Sequence, residues 1–219
     1  AIHGEEPKYL HGRNTDIFMK SNHLYNFNVA KNYAYNDKIY VVEGFMDVAG
    51  GNKMNIRNIV ATMGTSFTKE QIAMLRRLDC EIVLMRDNDN AGRQAMVKEI
   101  PELMNKRFRV SVIDLNKVKE NLQLTEEKDS KDLWDFANAG AVEHDLEKAR
   151  VSGFQFLMEN KYFENKEFNS ETIKEAYEEA KKEELIKTSY DEMNFKDYVV
   201  KHSTYSKEEV DDIIHAMSL

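Results

Sequence analysis

Glu43, Asp87 and Asp89 are the residues of this chain whose types and spacing could do chemistry. Glu43 follows the run Lys38-Ile39-Tyr40-Val41-Val42, and Asp87 follows Glu81-Ile82-Val83-Leu84-Met85-Arg86. Each run reads as a buried parallel strand. Gly44, Asn88 and Asn90 bring turn-forming sequence in just where the carboxylates appear. In an open α/β sheet, ligands bind at the carboxyl ends of the strands. Asp87 and Asp89 are two residues apart, so in extended geometry their side chains point the same way. Three carboxylates at one such edge repel one another unless cations neutralise them. An all-oxygen donor set suits Mg²⁺, or Mn²⁺ in its place, and the chemistry of such a site is phosphoryl transfer.

Each cluster has a plainer reading on its own. Glu43 could end a strand at the surface, and Asp87-Asn88-Asp89-Asn90 could be a turn or a helix cap. Their joint placement at two strand ends of one sheet favours a site. The elements that would position them alternate: strands at 38–42, 58–62, 81–86 and 107–113, helices at 45–54, 69–78 and 91–105. That order implies βαβ units and a mainly parallel four-stranded sheet flanked by helices. The second helix opens with the capping box Thr68-Lys69-Glu70-Gln71. Pro101 should kink or end the third. After about Leu124 the sequence predicts only helices, at about 132–138, 142–160, 170–186, 192–202 and 206–217. The last opens with a second box, Ser206-Lys207-Glu208-Glu209. The expected division is a lead-in at 1–36, a catalytic α/β domain at 37–124 and an all-helical subdomain at 125–219, joined by a charged stretch at 125–131.

Composition narrows the class. The chain has 219 residues, is 42% apolar and 32% charged, and carries a single cysteine, Cys80. One cysteine excludes a disulfide framework and a cysteine-based zinc site within the chain, and fits a reducing compartment. No apolar run approaches the length of a membrane span, and the start shows no signal-peptide pattern. The net charge of −8 is unlike a nucleic-acid-binding protein, but it is unevenly spread. Residues 151–219 hold nine lysines against sixteen acids, so the acidity sits in the C-terminal third. The chain opens at Ala1 in polar sequence and reads as a fragment of a longer protein.

Glu43-Gly44-Phe45-Met46-Asp47-Val48 resembles the glutamate motif of the TOPRIM domain, and Asp87-Asn88-Asp89-Asn90-Ala91-Gly92 resembles its DxD motif. Between them, Ala61-Thr62-Met63-Gly64-Thr65-Ser66-Phe67-Thr68 is similar to one branch of that superfamily, the bacterial DnaG-type primases. Pro7-Lys8-Tyr9-Leu10 and Leu24-Tyr25-Asn26-Phe27-Asn28-Val29-Ala30-Lys31 match the lead-in of the same family. Five motifs in order cover about residues 7–135.

The resemblance implies a DNA-directed RNA polymerase that makes short primers from NTPs on a single-stranded DNA template. It implies Mg²⁺ or Mn²⁺ held by Glu43, Asp87 and Asp89 as the catalytic acids, with Asp47 and Asp129 as further metal-site acids. The family's outlying acid pair is here spread over Asp129-Ser130-Lys131-Asp132, so Asp132 is a candidate for the second member. Arg93, in the first turn after the DxD motif, and Arg86 are the candidates for nucleotide phosphate. Arg86 replaces an apolar residue of the family pattern and is expected to pair with Asp47 or another acid. Gly50-Gly51 should shorten or break the first helix. Zinc is implied only in an N-terminal module outside these residues. A replicative helicase is implied as partner through a C-terminal region, also outside them. The implied setting is the bacterial cytoplasm at the replication fork, with no membrane. By itself the fragment is expected to be inactive.

Other readings compete. A topoisomerase fragment needs a catalytic tyrosine in a suitable context, which no tyrosine here has. An OLD-type nuclease shares the acids. A non-catalytic recombination scaffold is disfavoured by the presence of all three acids. A receiver-like phosphoacceptor needs a lysine where the strand at 107–113 ends in Asp114.

Overall fold

The computed structural model describes residues 19–35, 37–64, 66–123 and 132–216. A helix, α1 (Phe27–Ala34), precedes the first strand, β1 (Lys38–Val42). Then come α2 (Phe45–Lys53), β2 (Ile59–Ala61), α3 (Lys69–Arg76), β3 (Glu81–Leu84), α4 (Asn90–Asn105), β4 (Val110–Ile113) and α5 (Leu115–Asn121). Beyond these lie α6 (Leu133–Asn138), α7 (Glu143–Lys148), β5 (Arg150–Ser152), α8 (Gly153–Leu157), a π turn at Met158–Tyr162, α9 (Ser170–Lys182), α10 (Ser189–His202) and α11 (Lys207–His215).

The sheet has the order β2-β1-β3-β4-β5. The first three pairings are parallel and the last is antiparallel. β1 sends its connection to β2 on one side, and the chain then crosses to β3 on the other. The crevice between the ends of β1 and β3 is therefore the topological switch point of the sheet. Register keeps those ends level, with Val41 opposite Leu84 and Val42 opposite Ala61. Glu43 and Asp87 consequently leave the sheet at the same edge.

β-branched residues fill both faces of the central strands, as burial on two sides requires. Ile39, Val41, Ile82, Leu84 and Val112 face one core, shared with α1, α3, α4 and the C-terminal helices. Tyr40, Val42, Val83, Met85 and Ile113 face the other, covered by α2, α5, α6 and α7. Both expected capping boxes form: Gln71 N–H donates to Thr68 Oγ1 at 3.1 Å, and Glu209 N–H donates to Ser206 Oγ at 3.2 Å.

Three expectations need correction. The four parallel strands are present, but a fifth joins them. β5 pairs Val151 with Val112, and the helix expected over 142–160 is broken into α7, β5, α8 and the π turn. Three residues in polar sequence carry too little alternation to announce a strand; it is the open edge of β4 that recruits them. This strand falls in the part expected to be all helical. Secondly, α4 continues through Pro101 to Asn105, because Ile100 and Leu103 are buried beside the proline and hold the helix on the sheet. Thirdly, Gly50 and Gly51 leave α2 unbroken. A Cβ at Gly50 would lie 2.8 Å from the backbone of Leu133 and Trp134, and one at Gly51 would lie 2.5 Å from Ile59 Cδ1. The glycines let α2 touch α6 and β2 at backbone distance, a gain that outweighs their helix propensity.

At the outer side of β2, Tyr25 and Ala61 exchange two backbone hydrogen bonds, at 2.9 and 3.2 Å, as an antiparallel bridge.

Candidate functional site

Glu43 is half-buried and stands just before Gly44, where β1 gives way to α2. Asp47, one turn into α2, is 6% exposed. Its Oδ2 accepts from Gly44 N–H at 3.0 Å and its Oδ1 from Leu133 N–H at 3.0 Å. The carboxylate thus satisfies the first turn of one helix and the first turn of another, where the helix dipole favours negative charge. Asp87 lies beyond β3. Asp89 is exposed and caps α4, its Oδ1 accepting from Gly92 N–H at 2.7 Å. Gly92 is required there: a Cβ would sit 2.3 Å from the Asp87 carbonyl oxygen. Asp132 caps α6 through Asp135 N–H at 2.9 Å.

These five carboxylates act on one another. The Asp87 carboxyl is pushed up to about 7, first by burial and then by the charges of Asp47, Glu43, Asp132 and Asp89. Asp47 is raised to about 6, again first by burial; the bond from Gly44 opposes this, and the charges of Asp132 and Glu43 add to it. Asp132 therefore faces the same edge as the glutamate and DxD motifs. Asp129 lies outside the described residues. As the side chains stand, no three metal-ligating groups among the described residues already ring a single point. The donor set itself fits a hard cation: all oxygen, like-charged and partly desolvated.

Arg86 lies behind this edge, 2% exposed. Its Nε and Nη2 donate to Glu99 Oε2 and Oε1 at 3.0 and 2.6 Å, and Nη1 donates to Thr62 Oγ1 at 3.3 Å. Of the two expectations for Arg86 the structure contains the ion pair, but with Glu99 of α4 and not Asp47. Its guanidinium is occupied by protein groups and is not presented as a phosphate ligand. Arg93 lies in a cleft at the ends of β3 and β4, together with Asp87, Asp89, Asp114, Asn116 and Phe156. Its Nη1 donates to Asn160 Oδ1 at 3.0 Å.

Sequence reasoning missed Glu99, Asp114 and Asn160. Asp114 ends β4 as Glu43 and Asp87 follow their strands, so the same signal was available for it; it caps α5 through Asn116 N–H at 3.0 Å. Nothing local marks Glu99 or Asn160, whose partners are 13 and 67 residues away.

A family model described as Toprim-like matches residues 40–127, the segment that carries Glu43, Asp47, Asp87, Asp89, Arg93 and Asp114. A DNA primase of Staphylococcus aureus is 42% identical over 113 residues, which are 51% of this chain and 19% of that protein. Residues 40–127 are thus similar to Toprim-like domains, and over 113 residues the chain is similar to a bacterial DNA primase. The chain aligns with about a fifth of the length of the curated relatives it matches. In fold the likeness extends further. A DNA primase domain from Pseudomonas aeruginosa superposes with a TM-score of 0.68 at 22% identity, over 97% of this chain and 65% of that one. A DnaG primase catalytic domain bound to single-stranded DNA superposes with a TM-score of 0.65 at 22% identity, over 90% of this chain and 62% of that one. The five-stranded sheet and helical C-terminal region thus share the fold of those solved domains. Among the described residues no helix is long and apolar enough to cross a membrane.

Proposed function

We propose that this chain is the metal- and nucleotide-holding part of a primase, which joins ribonucleotides into short primers on a single-stranded DNA template. In the reaction a 3′-hydroxyl oxygen attacks the α-phosphorus of an NTP. The new O–P bond forms as the bond to the bridging oxygen breaks; pyrophosphate leaves with that electron pair, and the hydroxyl proton passes to solvent water. The observation that carries this reading is the convergence of five carboxylates at the switch point, two of them held above their ordinary range by burial and mutual repulsion.

Glu43, Asp87 and Asp89 would hold the ions, with Asp47 and Asp132 supporting the site from the first turns of α2 and α6. Bound Mg²⁺ or Mn²⁺ supplies charge to neutralise the phosphates and lowers the pKa of the attacking hydroxyl. The chain's own contribution is placement. The α2–α6 contact fixes the glutamate side, the Asp89 cap fixes the DxD turn, and Arg93 stands beside them for a phosphate oxygen. The single-stranded DNA bound by the structural neighbour supports the template assignment. The acidic C-terminal third is not the template's main support, since phosphates are repelled from like charge unless cations intervene.

The test is a primer-synthesis assay with labelled NTPs on single-stranded template, run on the 219-residue chain and on the longer protein. The longer protein should make primers and its Asp87→Ala variant none, while the chain by itself retains only Mn²⁺-dependent NTP binding. Full primer yield from the Asp87→Ala variant would overturn the assignment.

A further inference from the structure

We propose that Asn160 is a positioning residue for Arg93. Seated in the π turn, it holds the guanidinium at the Asp87–Asp89 cleft in the pose that receives a nucleotide phosphate. The inference rests on the reading of that cleft as a nucleotide site.

Arg93 lies in the first turn of α4 and is only half-buried. An untethered arginine there would sample many rotamers and lose that freedom on binding a ligand. Fixing it beforehand removes the loss. Asn160 is 7% exposed, and both halves of its amide are used. Oδ1 accepts from Arg93 Nη1 at 3.0 Å, and Nδ2 donates to the Phe156 carbonyl at 3.0 Å. Among the described residues the other Arg93 nitrogens make no hydrogen bond, so they remain for a phosphate. Phe156 itself lines the cleft.

The π turn is what permits this. Phe163 N–H reaches back five residues to the Met158 carbonyl at 2.9 Å, widening the backbone so that the Asn160 side chain meets the Phe156 carbonyl. The turn is anchored on both sides of Asn160. Glu159 accepts from Lys117 Nζ at 3.0 Å and from Gln155 Nε2 at 2.7 Å, and the buried Tyr162 donates to Glu183 at 2.7 Å. An irregular turn that is braced in this way and spends a buried amide on a half-exposed arginine is placed for that arginine.

The experiment titrates the 219-residue chain with a fluorescent NTP analogue at saturating Mn²⁺, and with Mn²⁺ alone by calorimetry. The variants are Asn160→Leu, Asn160→Asp, Arg93→Ala and Arg93→Ala/Asn160→Leu. Asn160→Leu keeps the branched outline of the side chain, though it is bulkier, and loses both hydrogen bonds; it should weaken NTP binding by about tenfold and leave Mn²⁺ affinity within about twofold. Asn160→Asp keeps the acceptor and should restore most of that loss. The double variant should bind NTP no more weakly than Arg93→Ala. Wild-type NTP affinity in Asn160→Leu, or the same fold-loss in the Arg93→Ala background, overturns the positioning role. NTP affinity unchanged in Arg93→Ala instead removes the nucleotide reading of the cleft. If Asn160→Leu melts too low to assay, Asn160→Asp decides: a tenfold loss at native melting temperature overturns the proposal.

Discussion

The two ends of the same strands treat charge in opposite ways. At their amino ends β1 and β3 begin with Lys38 and Glu81, and both are paired. Lys38 Nζ lies 3.2 Å from Glu147, Arg150 lies 3.2 Å from Glu147 and from Glu81, and the Tyr40 hydroxyl donates to Glu143 and Glu147. At the carboxyl ends, Glu43, Asp47, Asp87, Asp89 and Asp132 face one another, and Arg86, the nearest buried cation, is committed to Glu99. Where charge is balanced internally the fold needs nothing more. Where it is left unbalanced, the protein carries a repulsion that a bound cation or protonation relieves. The contrast separates a structural cluster from a working one more sharply than residue types do, since acids dominate both.

Replacing Asp87 with alanine should have the largest effect. Isothermal calorimetry is expected to show Mn²⁺ binding abolished, while the metal-free protein melts no lower than wild type at pH 8, because a repelled group has gone. Equal Mn²⁺ affinity in the two proteins would break the comparison. Next comes Glu99→Ala, which leaves Arg86 buried without its bidentate partner. Loss of one member of a buried pair costs about 3–5 kcal/mol, readable by urea denaturation. A cost near zero would mean that the unbalanced carboxylates can take over Arg86.

The pH dependence follows in size. Asp87 and Asp47 titrate at about 7 and about 6 in the folded protein, against 3.8 ordinarily. Over that interval the folded state holds more protons than the unfolded chain, so stability falls as pH rises. The contribution of these two groups is complete below about pH 4 and gone above about pH 7. In EDTA the melting temperature should drop by about 5–10 °C between pH 5 and pH 8, the shifts being discounted for the partial exposure of Asp87. Asp87→Asn should flatten the upper part of that slope, and a melting temperature that rises across the window would refute the assignment of both groups. Smallest of all, Lys38→Ala at the balanced end should cost under about 1 kcal/mol and leave Mn²⁺ binding untouched in the same calorimetric assay.

Much of this was legible in the sequence because the decisive signals are local. The run from Lys38 to Val42 is one strand at the boundaries read from it, and the turn chemistry after Val42 and Met85 marks where the sheet stops and the carboxylates begin. The capping boxes at Thr68 and Ser206 needed only four residues each. What escaped depends on contacts across the chain. Gly50 and Gly51 read as helix breakers until Leu133 and Ile59 are known to lie against them. Arg86 is an anomaly in the motif until Glu99 is placed behind it. Asn160 is one polar residue in a helical stretch until the π turn aims it at Arg93. The roles assigned to Glu43, Asp87 and Asp89 rest on the titrations above; their arrangement at one edge is what the fold supplies.

The flanks of the sheet bear on how the domain can be handled. Tyr25 caps the outer side of β2 and Arg150–Ser152 covers the outer side of β4. Both guards come from outside the stretch that runs from Lys38 to Ile113, one from before it and one from after. A polypeptide trimmed to the βαβ repeat alone would uncover two rows of unpaired backbone groups at once, and exposed strand edges of that kind recruit other chains. The smallest well-behaved unit is therefore set by hydrogen-bonding hygiene at the margins, and it starts before Tyr25 and ends after Ser152.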